Sequence, residues 1–192
     1  MNIFILSDCP VESAQLQCDK HISKMCVESA QMLSTAHRIL DGYIEKRPSN
    51  SGKRTVNYWE HPDPVMESTL YKAVHHHHPC TVWTMKTIEN YSWHYKHFTA
   101  LCEEYKYRYE REHKSWVILG DILDIFPRHL PLGGLTPFPL AMKANPECMF
   151  EGDAVRSYRA FYQTKQDRFK MVWTKRPTPD WFKIKETSCS TQ

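Results

Sequence analysis

"CDKHISKMCVESAQMLSTAHR", residues 18 to 38, decides the fold because two stripes run along it at helical spacing. His21, Lys24, Glu28, Gln31, Thr35 and Arg38 succeed one another at steps of three, four, three, four and three. A helix turns about 100° per residue, so these six side chains share a face and form a polar wall. Ile22, Met25, Met32, Ala36 and Ile39 form the apolar stripe, displaced by a single position. The wall therefore lies beside the core-facing seam rather than opposite it, and such a position is the edge of a cleft.

The helix that carries the wall reads from residue 11 to 41 and stops at Asp41-Gly42. Before it, "NIFIL" (residues 2–6) is a short apolar arm, closed by "SDCP". After it, residues 43–63 cluster Pro, Ser, Asn, Gly and charge without a period and read as an inserted loop, with "KRPSNSGKR" as a basic tip. Residues 64–74 read as a short helix, 81–112 as a second long one, and 152–173 as the last, with Val155, Tyr158, Phe161, Tyr162 and Phe169 as its seam. Between the last two lies a short helix broken by Pro127 and followed by a Pro/Gly loop. Alternating strand patterns are nearly absent. The expectation is a mainly α fold: one compact helical domain over residues 1–192, with long loops and a basic, aromatic tail over 175–192.

A chain of 192 residues suffices for one domain with a proper core. The formal charge of +3 permits nucleic-acid binding without arguing for it, since only the distribution of charge does that. Seven cysteines form an odd set without a CxxC pair, which fits a reduced, cytoplasmic compartment. The N-terminus has no basic n-region, and no apolar stretch approaches the ~20 residues of a membrane span. A soluble, cytoplasmic protein is expected.

"HHHHPC" (residues 75–80) invites a metal reading, but adjacent residues cannot all face one ion, and no second pair with ligand spacing is evident, so neither metal nor other cofactor is expected. His78, just before Pro79 and a helix start, reads instead as a capping or phosphate-contacting residue. From 165 to 185, Lys165, Arg168, Lys170, Lys175, Arg176, Lys183 and Lys185 are interleaved with Phe169, Trp173, Trp181 and Phe182. Basic groups neutralise phosphates, and aromatics stack on bases. Phe169 and Trp173 read as core, whereas Trp181 and Phe182, beyond Pro177 and Pro179, read equally as core or as contact residues. "YKYRYEREHK" (105–114) repeats the pattern, although cations there also complement a helix C-terminus.

The wall is the best catalytic candidate, although Lys24 and Glu28 alone are also an ordinary i,i+4 pair worth ~0.2–0.5 kcal/mol. "DKHISKMCVE" (19–28) resembles the pattern Asp, any residue, His, six residues, Glu in the first long helix of the endonuclease V type of pyrimidine-dimer DNA glycosylase. "HPCTVWTMKTIENYSW" (78–93), "NPECMFEGDAVRSYRAFYQTKQDRF" (145–169) and "KRPTPDWFK" (175–183) resemble later landmarks of that family in the same order. The resemblance implies Glu28 as the catalytic carboxylate, His21 as its neighbour, and the α-amine at the Met1–Asn2 end as the nucleophile. Asn2 is large enough for Met1 to be retained. Lys20, Lys24 and Gln31 would meet DNA from the first helix, joined by His78, Arg168, Lys175, Arg176, Trp181, Phe182 and Lys183. Double-stranded DNA is the implied partner, with no obligate protein partner. The implied chemistry is N-glycosidic cleavage at damaged or modified pyrimidines with abasic-site lyase activity through a Schiff base. Two other readings stand beside it: an enzyme of free nucleotides or a modified base, and a noncatalytic DNA-binding or assembly protein.

Overall fold

A computed structural model describes residues 1–49 and 51–185. The elements in chain order are α1 (Pro10–Gln15), α2 (Asp19–Leu40), β1 (Tyr43–Pro48), β2 (Thr55–Glu60), α3 (Pro64–Thr69), α4 (Pro79–Thr84), α5 (Ile88–Tyr109), α6 (Lys114–Asp124) and α7 (Ala154–Gln163), with 3₁₀ turns at Pro146–Cys148 and Thr164–Asp167. The chain is mainly α, and no helix among the described residues is long and apolar enough to cross a membrane.

α2 packs along α5, and α1 covers another part of α5. Ile22, Met25, Met32 and Ala36 of the apolar stripe are fully buried. The apolar N-terminal arm is buried, with Ile3, Ile5 and Leu6 at no exposure. Extended backbone in a helical interior needs side-chain partners, and the arm finds them. Ser13 Oγ accepts from Leu6 N–H (3.0 Å) and donates to the Phe4 carbonyl (3.0 Å), while Gln17 Nε2 donates to that of Ile3 (3.4 Å). Asn2 Oδ1 accepts from Ile3 N–H (2.8 Å) and Phe4 N–H (3.3 Å), a local turn at the chain end.

Four helical expectations need correction. Residues 11–41 are two helices, because groups from elsewhere capture the backbone between them: Trp173 Nε1 donates to Leu16 O (2.9 Å), Cys18 N–H donates to the Tyr162 hydroxyl (2.8 Å), and Asp19 N–H to Val172 O (2.8 Å). The run 81–112 divides into α4 and α5 where Thr87 accepts from Asn90 N–H as an N-cap (3.2 Å). α7 stops at Gln163 and tightens into a 3₁₀ turn, so Phe169 lies beyond it. The helix expected over 64–74 is α3, capped by Asp63 and ending at Thr69.

Residues 43–63 are not a structureless loop. β1 and β2 pair antiparallel, from Tyr43 opposite Glu60 to Pro48 opposite Thr55. "TVNYWE" has the β-branched and aromatic content of a strand, but the hairpin is largely exposed, so no apolar alternation marks it. Of the tail expected over 175–192, residues 186–192 lie outside the described set. Residues 175–185 lie against the body rather than apart from it: Phe182 is buried on Trp173, with ring centroids 4.8 Å apart.

Candidate active site

The polar wall divides in two. Its C-terminal half is buried: Thr35 bridges the backbone of Val74, and Arg38 is enclosed by carbonyls. Its N-terminal half faces a cleft of about 490 Å³ in which His21, Lys24 and Glu28 of α2 meet Met1 and Asn2. Gln31 is half-buried on α2 and does not line the cleft.

Glu28 is the hub. Its Oε2 accepts from Asn2 N–H at 3.1 Å and lies 3.6 Å from the Met1 α-amine, while Oε1 pairs with Lys24 Nζ at 3.0 Å. The carboxylate side chain is 13 % exposed, so the pair with the amine is screened less than a surface pair. The Asn2 side chain fixes the chain end further, its Nδ2 donating to the Ala141 carbonyl (3.2 Å). Phe4 has φ +57°, a left-handed conformation that an aromatic residue adopts only under constraint. That turn lays its ring on His21, with centroids 4.6 Å apart and planes 22° from parallel.

His21 is buried between Phe4 and the edge of Phe169 (5.4 Å). The Tyr162 oxygen already accepts from Cys18 N–H, so its hydroxyl proton is free to donate to His21 Nδ1 at 2.8 Å. This leaves the proton of the neutral ring on Nε2. Burial, then the charges of Lys24, Lys165 and Lys20, lower the imidazole to about 3, so it is neutral at physiological pH.

Lys165, on the 3₁₀ turn after α7, lines the same cleft with Arg168, and it is the residue that sequence reasoning did not single out. Its ammonium lies 3.4 Å from the Phe161 ring centroid. Burial, then Arg168, lower it to about 8. It was hidden because one buried lysine in a basic run looks like its neighbours. Lys20 lies over Phe169 at 4.5 Å. Lys20, Lys24, Lys165 and Arg168 thus surround one carboxylate and one α-amine, a cation-rich cleft that attracts polyanions.

The remaining candidates do not line the cleft. His78 caps α4, its Nδ1 accepting from Cys80 N–H (3.2 Å), as its position before Pro79 implies. Burial, and then the N-terminal charge, lower its imidazole. Lys175 pairs with Glu110 (2.7 Å), and Arg176 grips buried Glu104 through two bonds (3.0 and 2.8 Å). Trp181 lies beneath Arg159 (5.3 Å) in a separate groove, and Lys183 is exposed. Buried Phe182 offers no face for stacking on a base in this conformation.

The expectation that no further ligand pair has metal spacing also needs correction. His37 and Asp41 are four residues apart at the end of α2, and His61 follows β2 to join them.

No family model, curated protein or solved structure matches this chain.

Proposed function

We propose that this protein binds double-stranded DNA and cleaves the N-glycosidic bond of damaged or modified pyrimidines, with an associated abasic-site lyase step. The observation that carries the reading is the Met1 α-amine 3.6 Å from the Glu28 carboxylate in a cleft ringed by four basic side chains. An α-amine with a reference pKa near ~7.7–8.0 is in part neutral at physiological pH, whereas an ordinary lysine at ~10.4 is almost wholly protonated. The neutral amine attacks C1′ of the sugar, and the base departs with the electrons of the C1′–N bond. The Glu28 carboxylate offsets the positive charge developing on the sugar, then takes the proton that the amine loses, while the departed base takes its proton from water. Glu28 returns its proton to O4′ as the C1′–O4′ bond breaks, and ring opening gives the iminium. Loss of a C2′ proton then expels the 3′ phosphate by β-elimination, and water releases the sugar fragment. Lys20, Lys24 and Arg168 hold the flanking phosphates.

The resemblance of residues 19–28 to the pyrimidine-dimer glycosylase pattern supports this reading, because it singles out the same Glu28. The engagement of Lys175 and Arg176 with Glu110 and Glu104 favours a second reading, catalysis on free nucleotides, in which the tail has no part. Incubation with irradiated duplex DNA and, separately, with free irradiated nucleotides separates the two. Strand scission at pyrimidine dimers supports the first reading. Base release from nucleotides alone supports the second, and neither activity rejects both.

A further inference from the structure

A second cluster lies at the other end of α2, outside the cleft. His37, Asp41 and His61 each offer one ligand atom within 4.8 Å of those of the other two. Both imidazoles are at least nine-tenths buried, and each retains one nitrogen with no partner, Nδ1 of His37 and Nε2 of His61. The surrounding bonds assign these nitrogens. The Tyr91 hydroxyl donates to Leu123 O (2.9 Å), so its oxygen accepts from His37 Nε2–H (2.9 Å), which leaves a lone pair on His37 Nδ1. His61 Nδ1 is occupied by Asp63 N–H (3.1 Å), leaving Nε2 free of any protein partner. The Asp41 carboxylate is held by Arg128 N–H (2.8 Å) and by the N–H and Nδ1 of His129 (3.0 and 2.9 Å).

We propose that His37, Asp41 and His61 form a binding site for a divalent transition cation of the zinc class. Two imidazoles and one carboxylate suit zinc and its neighbours, whereas magnesium and calcium prefer oxygen. The hydrogen bonds from His37 to Tyr91 and from the 128–129 backbone to Asp41 are the supports that orient ligands at such sites. A cleft of about 300 Å³, lined by Asp41, His61, Asp63 and His129, leaves room for water as a fourth ligand. With bonds of ~2 Å the three ligand atoms close by up to about 1.5 Å. His61 moves its proton from Nε2 to Nδ1 and gives up the Asp63 N–H bond. The cation joins the end of α2 to the chain leaving β2 and so clasps the base of the hairpin. This inference does not depend on the proposed DNA chemistry.

The full-length chain is stripped with EDTA, dialysed and titrated with Zn²⁺, with stoichiometry read by native mass spectrometry and thermal stability read alongside. The expected result is one cation per chain and a higher melting temperature. His61→Ala should weaken binding about a hundredfold or more, as should Asp41→Asn. The double variant His76→Ala/His77→Ala should retain the cation, which separates this site from the exposed histidine run. Co²⁺ on the unmutated chain gives a readout that needs no variant, visible bands of a low-symmetry nitrogen and oxygen site. No stoichiometric binding overturns the proposal, and so does binding that survives His61→Ala and disappears in the His76/His77 variant.

Discussion

At residue scale, Glu28 touches the Met1 amine, Asn2 N–H and Lys24 at once. Glu28→Gln keeps size and hydrogen-bonding reach but removes the charge that opposes the developing sugar cation. Base excision should fall by about a hundredfold or more. Capture of a preformed abasic aldehyde has no such cationic demand, so that step should persist in the variant. Excision at the unmutated rate in single-turnover assays would remove Glu28 from the mechanism. The grouping of His21, Lys24 and Glu28 was legible in the spacing of the wall. The depressed Lys165 was not, because it lies in a cleft with the N-terminal arm and α2, far away in sequence, with the Phe4 ring 6.0 Å from its ammonium.

At the scale of elements, Arg38 shows why a polar stripe is not by itself a functional face. Its guanidinium, 3 % exposed, donates to the carbonyls of Trp59 (2.9 Å), Tyr71 (2.8 Å), Glu67 (2.9 Å) and Leu70 (3.0 Å) and pairs with the Glu67 carboxylate. It ties β2 and the chain around α3 to α2. Arg38→Ala leaves several buried acceptors and a carboxylate without a partner and should cost about 3–5 kcal/mol, read by urea denaturation. Arg38→Lys should recover little of that loss, since an ammonium cannot reproduce the planar fork of donors. Stability unchanged in both variants would show that the hairpin is held by other contacts. The helices themselves were legible from period and caps. The break between α1 and α2 was not, because the partners that make it, Tyr162, Trp173 and Val172, are more than a hundred residues away in sequence.

At the scale of the whole molecule, buried imidazoles set the acid limit. His21 at about 3, His97 at about 4 and His94 well below its ordinary value are all lowered first by burial. Below about pH 6.5 the unfolded chain takes up protons at these sites that the folded chain does not. Stability should therefore fall as pH drops from about 6.5 towards 4, by up to about 1.4 kcal/mol per pH unit for each histidine. Denaturant melts between pH 7 and 4, run in EDTA to exclude metal effects, check this. A flat profile would mean that these rings accept protons while folded. Lesion cleavage by the same EDTA-treated protein should persist at temperatures where it remains folded, since Schiff-base chemistry needs no divalent ion. The mainly α character was visible in the sequence, but the hairpin was not, because an exposed two-stranded ribbon has no buried face to impose a period of two.

The most direct test of the amine-and-carboxylate account is borohydride reduction of the protein on abasic-site duplex DNA, followed by intact mass measurement and peptide mapping of the adduct. Of the four amines that line the cleft, the Met1 α-amine lies beside Glu28 and Lys165 is lowered to about 8. A single covalent adduct on the Met1 α-amine, lost when the N-terminus is selectively methylated and retained in Lys165→Met, is the predicted result. An adduct on Lys165, Lys20 or Lys24, or the absence of any trapped species, would contradict the account.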